Sequence, residues 1–192
     1  MTVEISEETP TDLGDYARIP IAFEVSRILD VTPRGDLPGE FILSERRLAA
    51  PLVKDYDAIQ GEGPSGWPRR FDLSRWGVLA AHLEARRVGG AVIAFDTPGL
   101  DMLEGRVDLA VLWDIRVSPG TRRQGVGGAL FRAVEAWATA RGCRRLKIET
   151  QNINVPACRF YARHGCVLGT VRPFAYPDLP DEIQLLWYKE LA

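Results

Sequence analysis

VSPGTRRQGVGGAL, Val117 to Leu130, is the stretch on which the fold turns. It closes an apolar run, Val107 to Val117, that reads as a β-strand. It opens a segment whose apolar residues fall at helical spacing, with Val126, Leu130, Val134, Trp137 and Ala138 on one face, Arg132, Glu135 and Thr139 on the other, and Gly142 as the stop. A glycine-rich turn between a strand and a helix N-terminus suits an anion. The first-turn N–H groups have no carbonyl partner inside the helix, the dipole presents its positive end, and glycines let a phosphate approach the backbone.

Spacing sorts the phosphate-binding patterns. A P-loop needs Lys-Ser/Thr after its last glycine, whereas Ala129-Leu130 follows Gly128. A dinucleotide fingerprint needs G-x-G-x-x-G/A. Counted from Gly125, Leu130 takes the third glycine position, although Glu149 lies near the distance of the ribose-binding acid. The turn does present R-x-x-G-x-G, Arg122 to Gly127, directly after a strand.

Outward from the turn, Trp76–Glu84 and Val88–Phe95 are apolar runs separated by Ala85-Arg86-Arg87, as in an antiparallel hairpin. Further upstream, Arg18–Val31 and Glu40–Ala49 read as strands with a Pro/Gly break at Thr32–Gly39. Lys54–Arg70 includes GEGPSGWP and reads as a lid or a loose loop. Downstream come a strand, Arg145–Gln151, with Lys147, Glu149 and Gln151 on its polar side, and a helix from Val155 to Arg163 introduced by Asn154. Closing strands at Cys166–Phe174 and Glu182–Lys189 complete an α/β order with a mixed sheet.

The 192 residues, 46% hydrophobic and 26% charged, fit one globular domain and exclude intrinsic disorder. The acidic start MTVEISEETPTDLGDY reads as an extension, residues 1–17, ahead of a single domain at 18–192. It lacks the features of a secretory signal and no window has the apolar length of a membrane span, so a soluble cytoplasmic protein is expected. Three cysteines, Cys143, Cys158 and Cys166, with two histidines argue against a disulfide scaffold and a metal centre. Charge is uneven. Arg116–Lys147 holds eight basic residues and one acid, Glu135, so it carries +7 where the whole chain carries −2, leaving −9 for the rest. The cations flank one turn instead of spreading over a surface, which favours a small phosphate ligand over nucleic acid.

R-x-x-G-x-G after a strand resembles the pyrophosphate loop of the GCN5-related N-acetyltransferases, the GNAT family. NVPACRFYARHG, Asn154 to Gly165, resembles the downstream signature of that family. More narrowly, IETQNINVPACRFYARHGCVLG and ERRLAAPLVKDYDAI resemble the streptothricin acetyltransferases. The resemblance implies an α/β fold with a mixed, centrally splayed sheet flanked by helices, and acetyl-CoA as cofactor. It places Ile115, Val117, Arg122, Arg123, Gln124, Gly125, Val126, Gly127, Gly128, Ala129, Asn154 and Tyr161 against that cofactor. Cys166 stands where the family usually has Phe, and His164 reads as a surface residue.

Acyl transfer to an amine requires a base for the ammonium, a polarised thioester carbonyl and a proton for the departing thiolate. Glu149 is the candidate base, at the position of the catalytic acid in the related ribosomal-protein alanine N-acetyltransferases. Asp114 is its rival, on the strand where many family members carry their carboxylate. Tyr161, whose phenol keeps its proton at neutral pH, is the candidate acid, with Phe160 beside it read as core. Trp113, Asp114, Glu149, Phe174, Tyr176, Trp187 and Tyr188 combine acids and aromatics in a way that suits a cationic amine, streptothricin by resemblance. N-terminal or lysine acetylation of a protein is the alternative, a non-catalytic acyl-CoA sensor the second. A homodimer is left open.

Overall fold

A computed structural model describes residues 2–10, 13–35 and 40–191. In chain order its elements are β1 (Glu4–Glu8), α1 (Gly14–Ala17), β2 (Phe23–Pro33), β3 (Phe41–Lys54), α2 (Trp67–Arg70), β4 (Gly77–Leu83), β5 (Arg86–Phe95), β6 (Leu109–Val117), α3 (Val126–Ala140), β7 (Arg145–Gln151), α4 (Val155–Arg163), β8 (Val167–Arg172) and β9 (Gln184–Glu190). The chain forms two compact units. One is built on Asp55–Lys147 with the segment up to Ala22 and the end from Glu190; the other is built from Phe23–Lys54 and Ile148–Lys189. The Thr32–Gly39 break falls partly outside the described residues.

In the first unit β1, β4, β5 and β6 lie side by side and antiparallel, and β7 begins there as the neighbour of β6. The β6-α3-β7 crossover joins sheet neighbours through a helix, the connection a parallel pair needs, so the sheet is mixed. Residues 4–8 of the acidic start are an edge strand paired with β4 from Glu4–His82 to Glu8–Val78, and Tyr16 of α1 is completely buried. Its sequence, EISEE, has too many acids to read as a strand, yet an edge strand with one solvated face carries them readily. The β4–β5 hairpin turns at Glu84 and Ala85, both with positive φ as a two-residue primed turn demands.

α3 packs on one face of this sheet through Val126, Leu130, Phe131, Val134, Trp137 and Ala138, all buried. Gly89 and Gly90 thin β5 on both faces. A Cβ on Gly89 would press on the Arg116 carbonyl at 2.8 Å and meet Leu130 and Val126 of α3, and one on Gly90 would lie 2.8 Å from the Tyr16 ring. The Tyr16 face is a second core of Leu13, Trp67, Leu73, Trp76, Val78, Val92 and Val111, with Phe71 and Trp113 packed against it.

Residues 54–70 contribute to that core. Trp67 is buried and donates its indole N–H to the Glu62 carbonyl, while Arg70 bonds Glu62 Oε1 at 2.8 Å. Asp57 takes a two-pronged bond from Arg116 at 2.6 and 2.9 Å. The segment expected as a lid or loose loop is a packed one, because its single tryptophan has a buried site to fill. The strand expected from Arg18 begins only at Phe23.

In the second unit β2 and β3 form a separate antiparallel ribbon, and β7 runs beside β9, which pairs with β8. Asn152 braces these pieces. It exchanges bonds with Leu29 of β2, accepting from its N–H through the backbone carbonyl and donating to its carbonyl through Nδ2, and with Ile183 it exchanges a further pair. α4 is capped by Asn154, whose Oδ1 accepts the Ala157 N–H at 3.2 Å, and it buries Val155, Cys158 and Tyr161.

Candidate active site

The glycine turn keeps the shape its sequence requires. After Thr121 the chain runs extended through Arg122, turns left-handed at Arg123 (φ 66°), and again at Gly125 (φ 87°), which caps α3. The first intrahelical bond reaches back from Ala129 N–H to the Gly125 carbonyl, so the N–H groups of Val126, Gly127 and Gly128 belong to the first turn and face forward. Arg123, Gln124 and Gly125 are exposed; Gly127, Gly128 and Ala129 are half-buried. Arg122 shapes the turn from below, donating from Nε to the Val117 carbonyl at 3.1 Å and from Nη2 to the Ala22 carbonyl at 3.3 Å. Gln124 donates to the Gly120 carbonyl at 3.1 Å.

Half of the basic block expected from Arg116 to Lys147 is matched by carboxylates within the fold. Arg116 pairs with Asp57 and Asp114, Arg141 with Glu7, Arg145 with Glu190, and the buried Lys147 with Glu104 at 2.7 Å. Arg122 and Arg123 at the turn remain exposed, as do Arg132 and Arg144 further along. Lys147 was expected on the polar side of its strand with Glu149; it is 2% exposed and bonds the Met102 carbonyl as well.

A β-bulge decides where β6 aims its side chains. Ile93 pairs with Leu112 and Val92 with Asp114, so Trp113 is the extra residue. Strict alternation would place Asp114 on the α3 face. The bulge turns Asp114 and Arg116 onto the Tyr16 face, and Ile115 and Val117 onto the face of α3, opposite Ala91 and Gly89. Trp113 packs there edge-on against Trp67 and Phe71, at centroid distances of 6.4 and 5.1 Å. Asp114 accepts from Arg116 Nε and Nη2 at 2.8 and 2.6 Å beside the buried Tyr16 hydroxyl. Burial raises the pKa of Asp114, and the Arg116 charge opposes that rise. Burial, reinforced by the Asp114 charge, also holds the Tyr16 phenol well above its ordinary range.

Glu149 has a different setting. It is half-buried, and its carboxylate accepts from the Tyr176 hydroxyl at 2.6 Å, from Gln184 Nε2 at 2.8 Å and, at 3.4 Å, from Gln151 Nε2. Gln151 also donates to the Tyr176 hydroxyl at 3.1 Å. Burial first, then the Glu149 charge, pushes the Tyr176 phenol up, so Tyr176 remains a proton donor to the carboxylate. These donors are neutral side chains and fix the orientation of the carboxylate.

Tyr161 is buried on α4, while Phe160, expected as core, is half-buried and lies 4.4 Å from the His164 ring. His164 is likewise half-buried, not a fully solvated surface residue. The i, i+3, i+6 spacing of Val155, Cys158 and Tyr161 sets the inward face, and Phe160 falls off it. Trp187 is buried and donates its indole N–H to Thr150 at 2.9 Å; Thr150 also contacts the Cys158 thiol. The Tyr188 ring covers Gly169, whereas Phe174 stands in solvent. The structure therefore joins Glu149 with Tyr176 and gathers Trp113 and Asp114 around a buried cluster. Four contributors were not anticipated: Asp57, Arg116, Asn152 and Gln184. Only Gln184, on a strand next to that of Glu149, carried a readable signal.

A strand–turn–helix whose first-turn N–H groups can face an anion, on a mixed α/β sheet, is the arrangement of a phosphate-binding α/β protein, and the chain belongs to the GNAT acetyltransferases: the Acetyltransferase (GNAT) family model matches residues 51–166. The chain is 40% identical to Streptothricin acetyltransferase A of Bacillus subtilis (strain 168) over 159 residues, 78% of this chain and 80% of that one. Its fold is similar to that of a Bacillus anthracis str. Ames protein solved in complex with acetyl coenzyme A (TM-score 0.77, 24% identity) and to that of a nourseothricin acetyltransferase (TM-score 0.73, 24% identity), each pair aligned over 100% of both chains.

Proposed function

We propose that the chain is an acetyl-CoA-dependent N-acetyltransferase that modifies an amino group of streptothricin or a closely related cationic antibiotic. The observation that carries this reading is the 40% identity to the Bacillus subtilis streptothricin acetyltransferase across four-fifths of that protein.

The residues fit the cofactor. The first-turn N–H groups of Val126, Gly127 and Gly128, the left-handed Gly125, and exposed Arg122 and Arg123 form a donor set for a pyrophosphate; the backbone N–H of Val117 is the candidate to polarise the thioester carbonyl, and Asn154 a further candidate cofactor contact. When bound, acetyl-CoA supplies a thioester-activated acetyl group. The remaining work is proton handling by the chain. Glu149, oriented by Tyr176 and Gln184, accepts a proton from the acceptor ammonium, and Tyr161 gives its phenolic proton to the leaving sulfur. Asp114 is the weaker candidate, because both its charge and its geometry are committed to Arg116. No helix among the described residues is long and apolar enough to cross a membrane, and the three cysteines are free thiols.

The test is acetyl-CoA consumption with streptothricin and, in parallel, ribosomal-protein N-terminal peptides, with product mass measured. A gain of one acetyl group on streptothricin is expected. Turnover confined to the peptides would replace this reading with protein N-acetylation.

A further inference from the structure

The β8–β9 connection, PFAYPDLPDEI from Pro173 to Ile183, is fixed along most of its length. Tyr176 is bound to Glu149 and Gln151, Glu182 to Lys54, and Ile183 to both the side chain and the backbone of Asn152. Two turns, Leu179 N–H to the Tyr176 carbonyl and Glu182 N–H to the Leu179 carbonyl, wind its centre, and three prolines restrict its backbone. Within this fixed loop Phe174 departs from the pattern in two independent ways. Its ring is 86% exposed, the most exposed large apolar side chain among the described residues, and its backbone is left-handed at φ 62°. A bulky side chain in that region is strained, and exposing an aromatic ring forgoes burial. Neither helps the fold.

We propose that Phe174 is a specificity-determining residue for the acceptor: its ring is the platform on which an alkylammonium chain of the substrate lies. The proposal rests on the function read above. Phe174 is two residues from Tyr176, a span of at most about 7 Å between Cα atoms, and Tyr176 holds Glu149 at 2.6 Å. A flexible amine chain can therefore rest on the ring while presenting its ammonium to the carboxylate. The loop also carries the exposed acids Asp178 and Asp181 against one exposed cation before it, Arg172, so its field favours a positive ligand. An aromatic face with nearby acids recognises ammonium groups by cation–π attraction.

The experiment compares the unsubstituted enzyme, Phe174→Gly and Phe174→Trp in steady-state kinetics with streptothricin and acetyl-CoA, and in thermal melting. Glycine tolerates the left-handed backbone, so Phe174→Gly is expected to melt at the same temperature or higher. Its KM for streptothricin should rise by roughly two- to fivefold while kcat and the KM for acetyl-CoA stay unchanged, the loss of one exposed cation–π contact. Phe174→Trp should keep the KM of the unsubstituted enzyme. An unchanged KM in Phe174→Gly, or a loss of kcat accompanied by a lower melting temperature, overturns the proposal and leaves the function standing. Failure of the unsubstituted enzyme to acetylate streptothricin overturns the function and this proposal together.

Discussion

Arg116 uses all five of its guanidinium N–H donors inside the protein, on Asp57, Asp114 and the Ile19 carbonyl, with the Tyr16 ring 5.2 Å beneath it. Removing one partner of such a buried pair strands the other, at a typical cost of about 3–5 kcal/mol. Arg116→Met is therefore expected to be destabilised by several kcal/mol in urea denaturation, and the deficit should depend on pH. The folded-state pKa of Asp114 lies above its unfolded value, so the folded protein retains a proton that the unfolded chain releases, and stability falls as pH rises through that interval. Without Arg116 the opposing charge is gone and the interval extends upward, so the deficit should be larger at pH 8 than at pH 5.5; an equal deficit at both would mean that Asp114 is not the stranded charge. At the residues proposed for catalysis, Tyr161→Phe preserves the ring but removes its proton. It should bind acetyl-CoA normally and turn over roughly 10²- to 10⁴-fold more slowly. Glu149→Gln should lose rate chiefly on the acid limb of the pH profile, and a silent Glu149→Gln beside a severe Asp114→Asn would transfer the role of base to Asp114.

Among the elements, α3 provides a direct measurement. Gly127→Val puts a branched side chain on the first turn without asking the helix for anything unusual, since Val is about as good a helix former as Gly or better. The variant alone should melt close to the unsubstituted protein, whereas the rise in melting temperature produced by acetyl-CoA should disappear; a preserved rise would remove this turn from the cofactor site. The same helix shows what sequence patterns can reveal. α3, β7 and α4 were legible to within a residue or two because a dozen consecutive positions repeat one period or are bounded by Asn154, Gly142 and Gly165. The bulge at Trp113 was not, since one extra residue leaves no compositional trace, yet it reverses the facing of Asp114 and Arg116. Lys147 misled for a related reason: period-two alternation says which side a residue takes but not whether that side is covered, and here Met102 and Glu104 cover it. The anchoring of Glu149 depends on Tyr176 and Gln184, which lie 27 and 35 residues away in sequence, and no local pattern records such a meeting.

At the scale of the whole molecule, the first unit buries the thiol of Cys143 and the second those of Cys158 and Cys166. Burial pushes Cys143 in the first unit and Cys158 in the second up to about 11. Iodoacetamide at pH 8 should therefore label neither in the native protein and both in concentrated urea, read site by site by mass spectrometry; native labelling of Cys158 would mean that α4 is not packed as described. The separate β2–β3 ribbon has a consequence during synthesis. Its brace at Asn152, and the Arg159 side chain that grips Glu45, belong to a part of the second unit made long after it, with most of the first unit translated in between. A nascent ribbon must survive that wait without its permanent neighbours. It does so with Arg46 locked onto Asp30 across the strands and with the consecutive charges Glu45, Arg46 and Arg47 at the middle of β3, features that make an early-emerging, unshielded hairpin less attractive to other nascent chains until its partners leave the ribosome.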